Sequence, residues 1–123
     1  MSQDIGESIV LTKEQWSEVI RKAEASTQSE KFMFILRSWA NSQTVSWGSI
    51  NAFSGNIVES DEDRKSGSTL IGNITKWVSQ ITGIQDTKCY CYYWDKNIGS
   101  WNIGYHQTFA LRQAFGKKVS FNL

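Results

Sequence analysis

The stretch Lys88 to Phe115, KCYCYYWDKNIGSWNIGYHQTFALRQAF, decides how the rest of the chain is read. Its first arm alternates Cys89, Cys91 and Tyr93 with Lys88, Tyr90, Tyr92 and Trp94, which is the two-residue period of a strand. The thiols and Tyr93 make the compact face expected to meet a core, and the other four make a broad amphipathic face. Asp95 to Ser100 carries turn chemistry, because Asn97 and Gly99 tolerate the positive φ angles that let a strand reverse. The arm beginning at Trp101 is read as the returning strand of a long antiparallel hairpin over 88–115, with Gly104 marking a bulge or a close backbone approach.

Working outward, helical patterns precede this hairpin. Thr12 and Gln15 fit a capping box, and Trp16, Val19, Ile20 and Ala23 then share one face, so a helix is predicted over about residues 13 to 25. Phe32, Met33, Ile35, Leu36, Trp39 and Ala40 repeat at helical spacing between Ser29 and Asn41, although Lys31 to Leu36 taken alone also fits a buried strand. Leu70, Ile71, Ile74, Trp77, Val78 and Ile81 give the clearest helical period, over 68–81, and Gly83 stands where such a helix stops. Gly72 inside it costs about 1 kcal/mol relative to Ala and is read as making room for close packing.

Short strands are predicted at Ser8 to Leu11, Thr44 to Phe53 and Val119 to Leu123. The fold class is therefore α+β, with an antiparallel sheet of about four strands, the aromatic hairpin included, covered on one face by three amphipathic helices. Residues 54–68 read as a mobile acidic loop, since Gly, Asn and Ser flank Glu59, Asp61, Glu62, Asp63, Arg64 and Lys65.

At 123 residues, with 40% hydrophobic and 20% charged side chains, residues 1–123 are expected to form one globular domain. Met1 to Glu7 is polar and lacks the basic-then-apolar pattern of a signal peptide, and no apolar run is long enough to span a bilayer. A cytoplasmic location without membrane association follows as the expectation. Cys89 and Cys91, two residues apart on one strand, would form only a strained bridge, so two free thiols are expected. A net charge of +1 makes duplex nucleic acid an improbable dominant partner.

Candidate chemistry is sparse. His106 is the sole histidine; as a general base it would need a cation such as Arg112 or Lys117 to stabilise developing charge, the arrangement of a metal-independent ribonuclease. Against this stands the ordinary reading of a polar residue on an exposed face. Core-facing thiols are poor nucleophiles, which weakens any pairing of Cys89 or Cys91 with His106. Asp61-Glu62-Asp63 and Asp95-x-Asn97-x-Gly99 supply oxygen ligands, but neither completes a calcium loop, because the second has His106 where a bidentate Glu belongs. Two thiols and one imidazole lack zinc spacing and a fourth ligand. No metal or cofactor is expected.

What remains is aromatic surface. Tyr90, Tyr92, Trp94, Trp101 and Tyr105 would lie together on one sheet face, and such a face is used for burial under helices, for stacking on sugars or bases, or for anchoring a protein. The expected function is a small protein-binding inhibitor of the toxin-immunity or phage anti-defence type, which occludes a site on its target. Trp94 and Trp101 are the leading anchors, and Asp61, Glu62 and Asp63 steer the module toward a basic site. The alternatives are the ribonuclease built on His106 and a module that binds glycan or single-stranded nucleic acid through the aromatic hairpin.

Overall fold

The computed structural model describes residues 8–46, 49–50, 61–85 and 88–116, the backbone alone over 61–68. Among the described residues, four named helices and a two-stranded antiparallel sheet appear in the order α1 (Lys13–Glu24), α2 (Ser29–Ala40), α3 (Asp61–Thr82), β1 (Tyr93–Asp95), β2 (Ser100–Asn102) and α4 (Tyr105–Phe115). The class is α+β, as the sequence predicts. The balance differs: the described sheet has two strands of three residues each, and helix replaces the end of the expected hairpin.

The first helix forms where its signals place it. Thr12 Oγ1 accepts from the Gln15 amide at 3.2 Å while Gln15 Oε1 accepts from the Thr12 amide at 2.9 Å, so two orphan donors of the first turn are satisfied reciprocally. Trp16, Val19, Ile20 and Ala23 are all buried, and α1 packs against each of the other three helices. Buried side chains from every helix gather around it in one cluster that includes Ile35, Trp39, Ile74, Val78, Leu111 and Phe115. Each large side chain of this kind withdraws apolar area worth about 1.5–3 kcal/mol from water, and that sum holds the helices together.

Helix α2 ends in a Schellman turn. With Asn41 as C-cap, the Ser42 amide donates to Trp39 O at 3.0 Å and the Gln43 amide to Ser38 O at 2.8 Å. Ser42 takes the left-handed position at φ 59°, which glycine would occupy with no steric cost. Helix α3 already includes Asp61, well before the predicted start, so Asp61, Glu62 and Asp63 are helical and not part of a loop. The 54–60 part of the predicted loop lies outside the described residues. Gly72 is not a packing device: a Cβ there would meet nothing within 4 Å.

The predicted long hairpin is a short one. Tyr93 pairs with Asn102, Trp94 with Trp101 and Asp95 with Ser100. Gly99 sits at φ 64° and its amide donates to Asp95 O at 2.8 Å, while Asp95 Oδ1 accepts from the Asn97 amide at 2.9 Å; together these close the turn. Residues 89–92 are not in a strand, which breaks the predicted alternation: Cys89, Cys91 and Tyr92 are buried, whereas Tyr93 is half-buried.

Other predicted strands reduce to local pairings. In the 44–53 segment, of which residues 47–48 and 51–53 lie outside the described residues, Val45 forms an isolated bridge with Trp101, and Ser49 and Ile50 are helical, with Ser46 and Ser49 exchanging side-chain and backbone hydrogen bonds. Ser8 and Ile9 donate their amides to Tyr90 O at 2.7 and 3.3 Å without making a strand. Val119 to Leu123 lies outside the described residues.

After Asn102 the chain does not continue the hairpin but turns into α4 at Gly104. Thr108 N and Thr108 Oγ1 both bond Gly104 O, at 3.0 and 3.2 Å. Gln107, Thr108, Leu111 and Phe115 face inward at helical spacing. Among the described residues no helix is long and apolar enough to cross a membrane.

Candidate functional site

The aromatic residues of the 88–115 stretch divide between core and surface. Tyr92 is 3% exposed and its ring stacks on Trp39 at 5.9 Å, with the half-buried Tyr90 edge-on at 6.0 Å. Its hydroxyl is bonded to Thr75 Oγ1 at 2.8 Å, linking the stretch to α3. Burial pushes the Tyr92 phenol up to about 12; the Thr75 hydrogen bond works against that rise, and Cys91 and Tyr90 add smaller contributions to it.

Trp101 is also a core residue, 5% exposed. Its carbonyl accepts from Trp39 Nε1 at 3.1 Å and from the Val45 amide at 3.0 Å. The Trp94 ring, half-buried, tilts against the Trp101 ring at 4.7 Å. Of the five aromatics predicted to form one face, Tyr105 alone stands open to solvent, at 83%.

Helix α4 carries a surface that the sequence reading missed. Phe109 is 60% exposed and lies one turn beyond Tyr105, so the two rings stand on the same side of the helix. On the opposite side the first inward positions, Gln107 and Thr108, are polar, and Leu111 and Phe115 follow them. Gln107 is fully buried; its Oε1 accepts from the Leu11 amide at 2.9 Å and from Trp16 Nε1 at 3.1 Å, and its Nε2 donates to Ile9 O. An amphipathic helix normally hides its aromatics and exposes its amides. At the hairpin turn Ile98 is 60% exposed as well.

A cleft of about 200 Å³ adjoins this surface, between the end of α2, the hairpin and the start of α4. Trp39 and Ile103 give it apolar walls, and Tyr93 and Tyr105 contribute rings with hydroxyls. Ser42, Gln43, Asn102 and Thr108 add neutral polar groups.

The remaining candidates fall elsewhere. His106 is exposed on the first turn of α4, its ring edge-on to Tyr105 at 5.9 Å. Arg112 is turned the other way: its Nε donates to Ala40 O and its Nη2 to Ser42 Oγ at 3.3 Å, so the guanidinium serves the carbonyl end of α2. Cys89 and Cys91 are buried with free thiols, and Cys89 Sγ donates to Ile84 O at 3.1 Å. Among the described residues no group of three or more His, Cys, Asp or Glu side chains is placed to hold a metal ion. Asp61, Glu62 and Asp63 are consecutive helical residues at the start of the described part of α3.

A spacing of four among Gln107, Leu111 and Phe115 was the available sign of α4. No protein-family model matches the sequence, and no curated protein or solved structure is significantly similar to it.

Proposed function

We propose that the chain is a small protein-binding inhibitor module, of the toxin-immunity or phage anti-defence type, which acts by covering a site on a target protein. The observation that carries this reading is the pair of exposed rings on α4. Tyr105 and Phe109 hold aromatic area in water at 83% and 60% exposure while Gln107 occupies the core. Rings left in solvent at one-turn spacing are what a partner buries as anchors, each worth 2 kcal/mol or more when truncated.

Within this proposal the contact surface runs from the α4 rings to the hairpin. Trp94 and Ile98 contribute its edge, while Trp101, Tyr92 and Tyr90 support it from beneath or beside. The carboxylates of Asp61, Glu62 and Asp63 act as steering charges toward a basic site on the target, raising the association rate more than the final affinity. His106, beside Tyr105, belongs to the contact surface under this reading and not to a ribonuclease centre, because Arg112 is engaged at the end of α2.

The test begins with stoichiometric capture of a partner from source-cell lysate and continues with its purified form. Phe109→Ala should weaken binding by about thirtyfold without altering the fold. Unchanged affinity in both Phe109→Ala and Tyr105→Ala would remove this surface from the interface, and RNA degradation abolished by His106→Ala would replace the inhibitor with the ribonuclease.

A further inference from the structure

We propose that the cleft between α2, the hairpin and α4 binds one uncharged sugar ring, a hexopyranose taken free or as the end of a glycan. Size is the first ground. At about 200 Å³ the cleft is somewhat larger than the roughly 150 Å³ that admits a benzene ring, and smaller than the roughly 300 Å³ at which pockets for drug-sized molecules begin. One six-membered ring with its substituents is the ligand of that scale.

The lining chooses among such rings. Tyr93 and Tyr105 offer aromatic surface, whose negative faces suit the slightly positive C–H groups of a pyranose, while Trp39 is fully buried behind them. Ser42, Gln43, Asn102 and Thr108 are all neutral and all both donate and accept, as sugar hydroxyls do. Among the described residues no lining side chain is charged, so none of them compensates a phosphate, a carboxylate or an ammonium. Arg112, which reaches Ser42, is also held by Ala40 O. A nucleotide would need cations along its phosphates that this lining lacks.

The groups are available as well as suitable. Among the described residues the Gln43 side-chain amide and the hydroxyls of Tyr93 and Tyr105 have no hydrogen-bond partner, and the Asn102 amide uses only its Nδ2, toward Ser100 Oγ at 3.3 Å. The cleft shares Tyr105 with the proposed protein-contact surface but does not depend on it.

The experiment is an amide-resolved NMR titration of the full chain with the methyl hexopyranosides of glucose, galactose, mannose and N-acetylglucosamine, with uridine and adenosine in parallel. At least one hexoside should shift the amides of Ser42, Gln43 and Ile103 to Tyr105, with a Kd on the order of 1 mM as befits so few ligand atoms. Gln43→Ala and Tyr105→Ala, both at exposed positions and therefore without risk to the core, should each weaken it at least about fivefold. Phe109→Ala should leave it unchanged, which separates this site from the protein-contact reading. Oligosaccharides ending in the same sugar then identify the source: tighter binding than the methyl hexoside assigns a glycan end, and equal or weaker binding a free sugar. The proposal is overturned if no hexoside shifts these amides at about 50 mM, far above the expected Kd. It is equally overturned if Gln43→Ala has no effect or if a nucleoside binds more tightly than every hexoside.

Discussion

Gln107 Oε1 accepts the indole N–H of Trp16 at 3.1 Å, joining α4 to α1 through a side-chain pair separated by 91 residues in sequence. The same amide also serves Leu11 N and Ile9 O, so one fully buried side chain completes three hydrogen bonds at the centre of the molecule. A buried polar group this well satisfied specifies one docking angle between the two helices, because any slip leaves several groups unpaired.

Replacing that amide with an apolar side chain of similar size should therefore be costly. Gln107→Leu strands the Trp16 indole N–H, the Leu11 amide and the Ile9 carbonyl; at about 1–3 kcal/mol for each unsatisfied group, part of it relieved by entering water, the expected loss is about 3 kcal/mol. Urea denaturation measures it. A loss under about 1 kcal/mol would mean that the three bonds contribute little beyond packing.

Tyr92 makes stability depend on alkaline pH. Its phenol is held neutral in the fold, pushed up to about 12 from the ordinary 10.0, first by burial. Because the folded state keeps the proton longer, this contribution is complete below pH 10 and is lost as pH rises toward 12. At 1.36 kcal/mol per pH unit the loss is about 3 kcal/mol. Tyr92→Phe should sacrifice about 1 kcal/mol at neutral pH through the Thr75 hydrogen bond, and should flatten the alkaline fall. Equal alkaline slopes in both proteins would place the effect on other groups.

Gly72 offers a gain. Space for a methyl group exists there, and the position is inside α3, so Gly72→Ala should raise stability by about 0.5–1 kcal/mol through the smaller entropy loss of alanine. Thermal unfolding shows the sign directly; a lowered midpoint would indicate that the methyl group meets something after all.

The helices α1, α2 and most of α3 were legible because their apolar residues recur at three and four and their neighbours are polar. Thr12 and Gln15 even fixed the start of α1. Helix α4 was not legible for the reason that makes it interesting: Gln107 and Thr108 stand at inward positions and Tyr105 and Phe109 at outward ones, which erases the hydrophobic period. With that signal gone, the aromatic content favoured a strand. The division of the site followed the same path. Tyr105 was identified among the exposed rings, but Trp101 and Tyr92 were assigned to the surface because their burial depends on Trp39, Val45 and Thr75, partners far away in sequence. The cleft joins Ser42 and Gln43 to Asn102 and Tyr105, a juxtaposition that no local pattern encodes.

The core and surface aromatics of the 88–115 stretch should separate cleanly under truncation. Trp101 is 5% exposed, packs on Trp94 at 4.7 Å and bridges Val45, so Trp101→Ala removes a large ring from a filled space and should destabilise the protein by about 3–5 kcal/mol. Trp94 is half-buried against it, and Trp94→Ala should cost less, about 1–2 kcal/mol, in proportion to the smaller area withdrawn from water. Tyr105→Ala and Phe109→Ala should stay within about 0.5 kcal/mol of the parent, since their rings are 83% and 60% exposed. Measured on one set of urea curves, this ordering fixes which rings hold the fold and which are free to contact a partner. Destabilisation by Phe109→Ala as large as that by Trp101→Ala would show that α4 buries its outer face, and the contact surface proposed for it would fail.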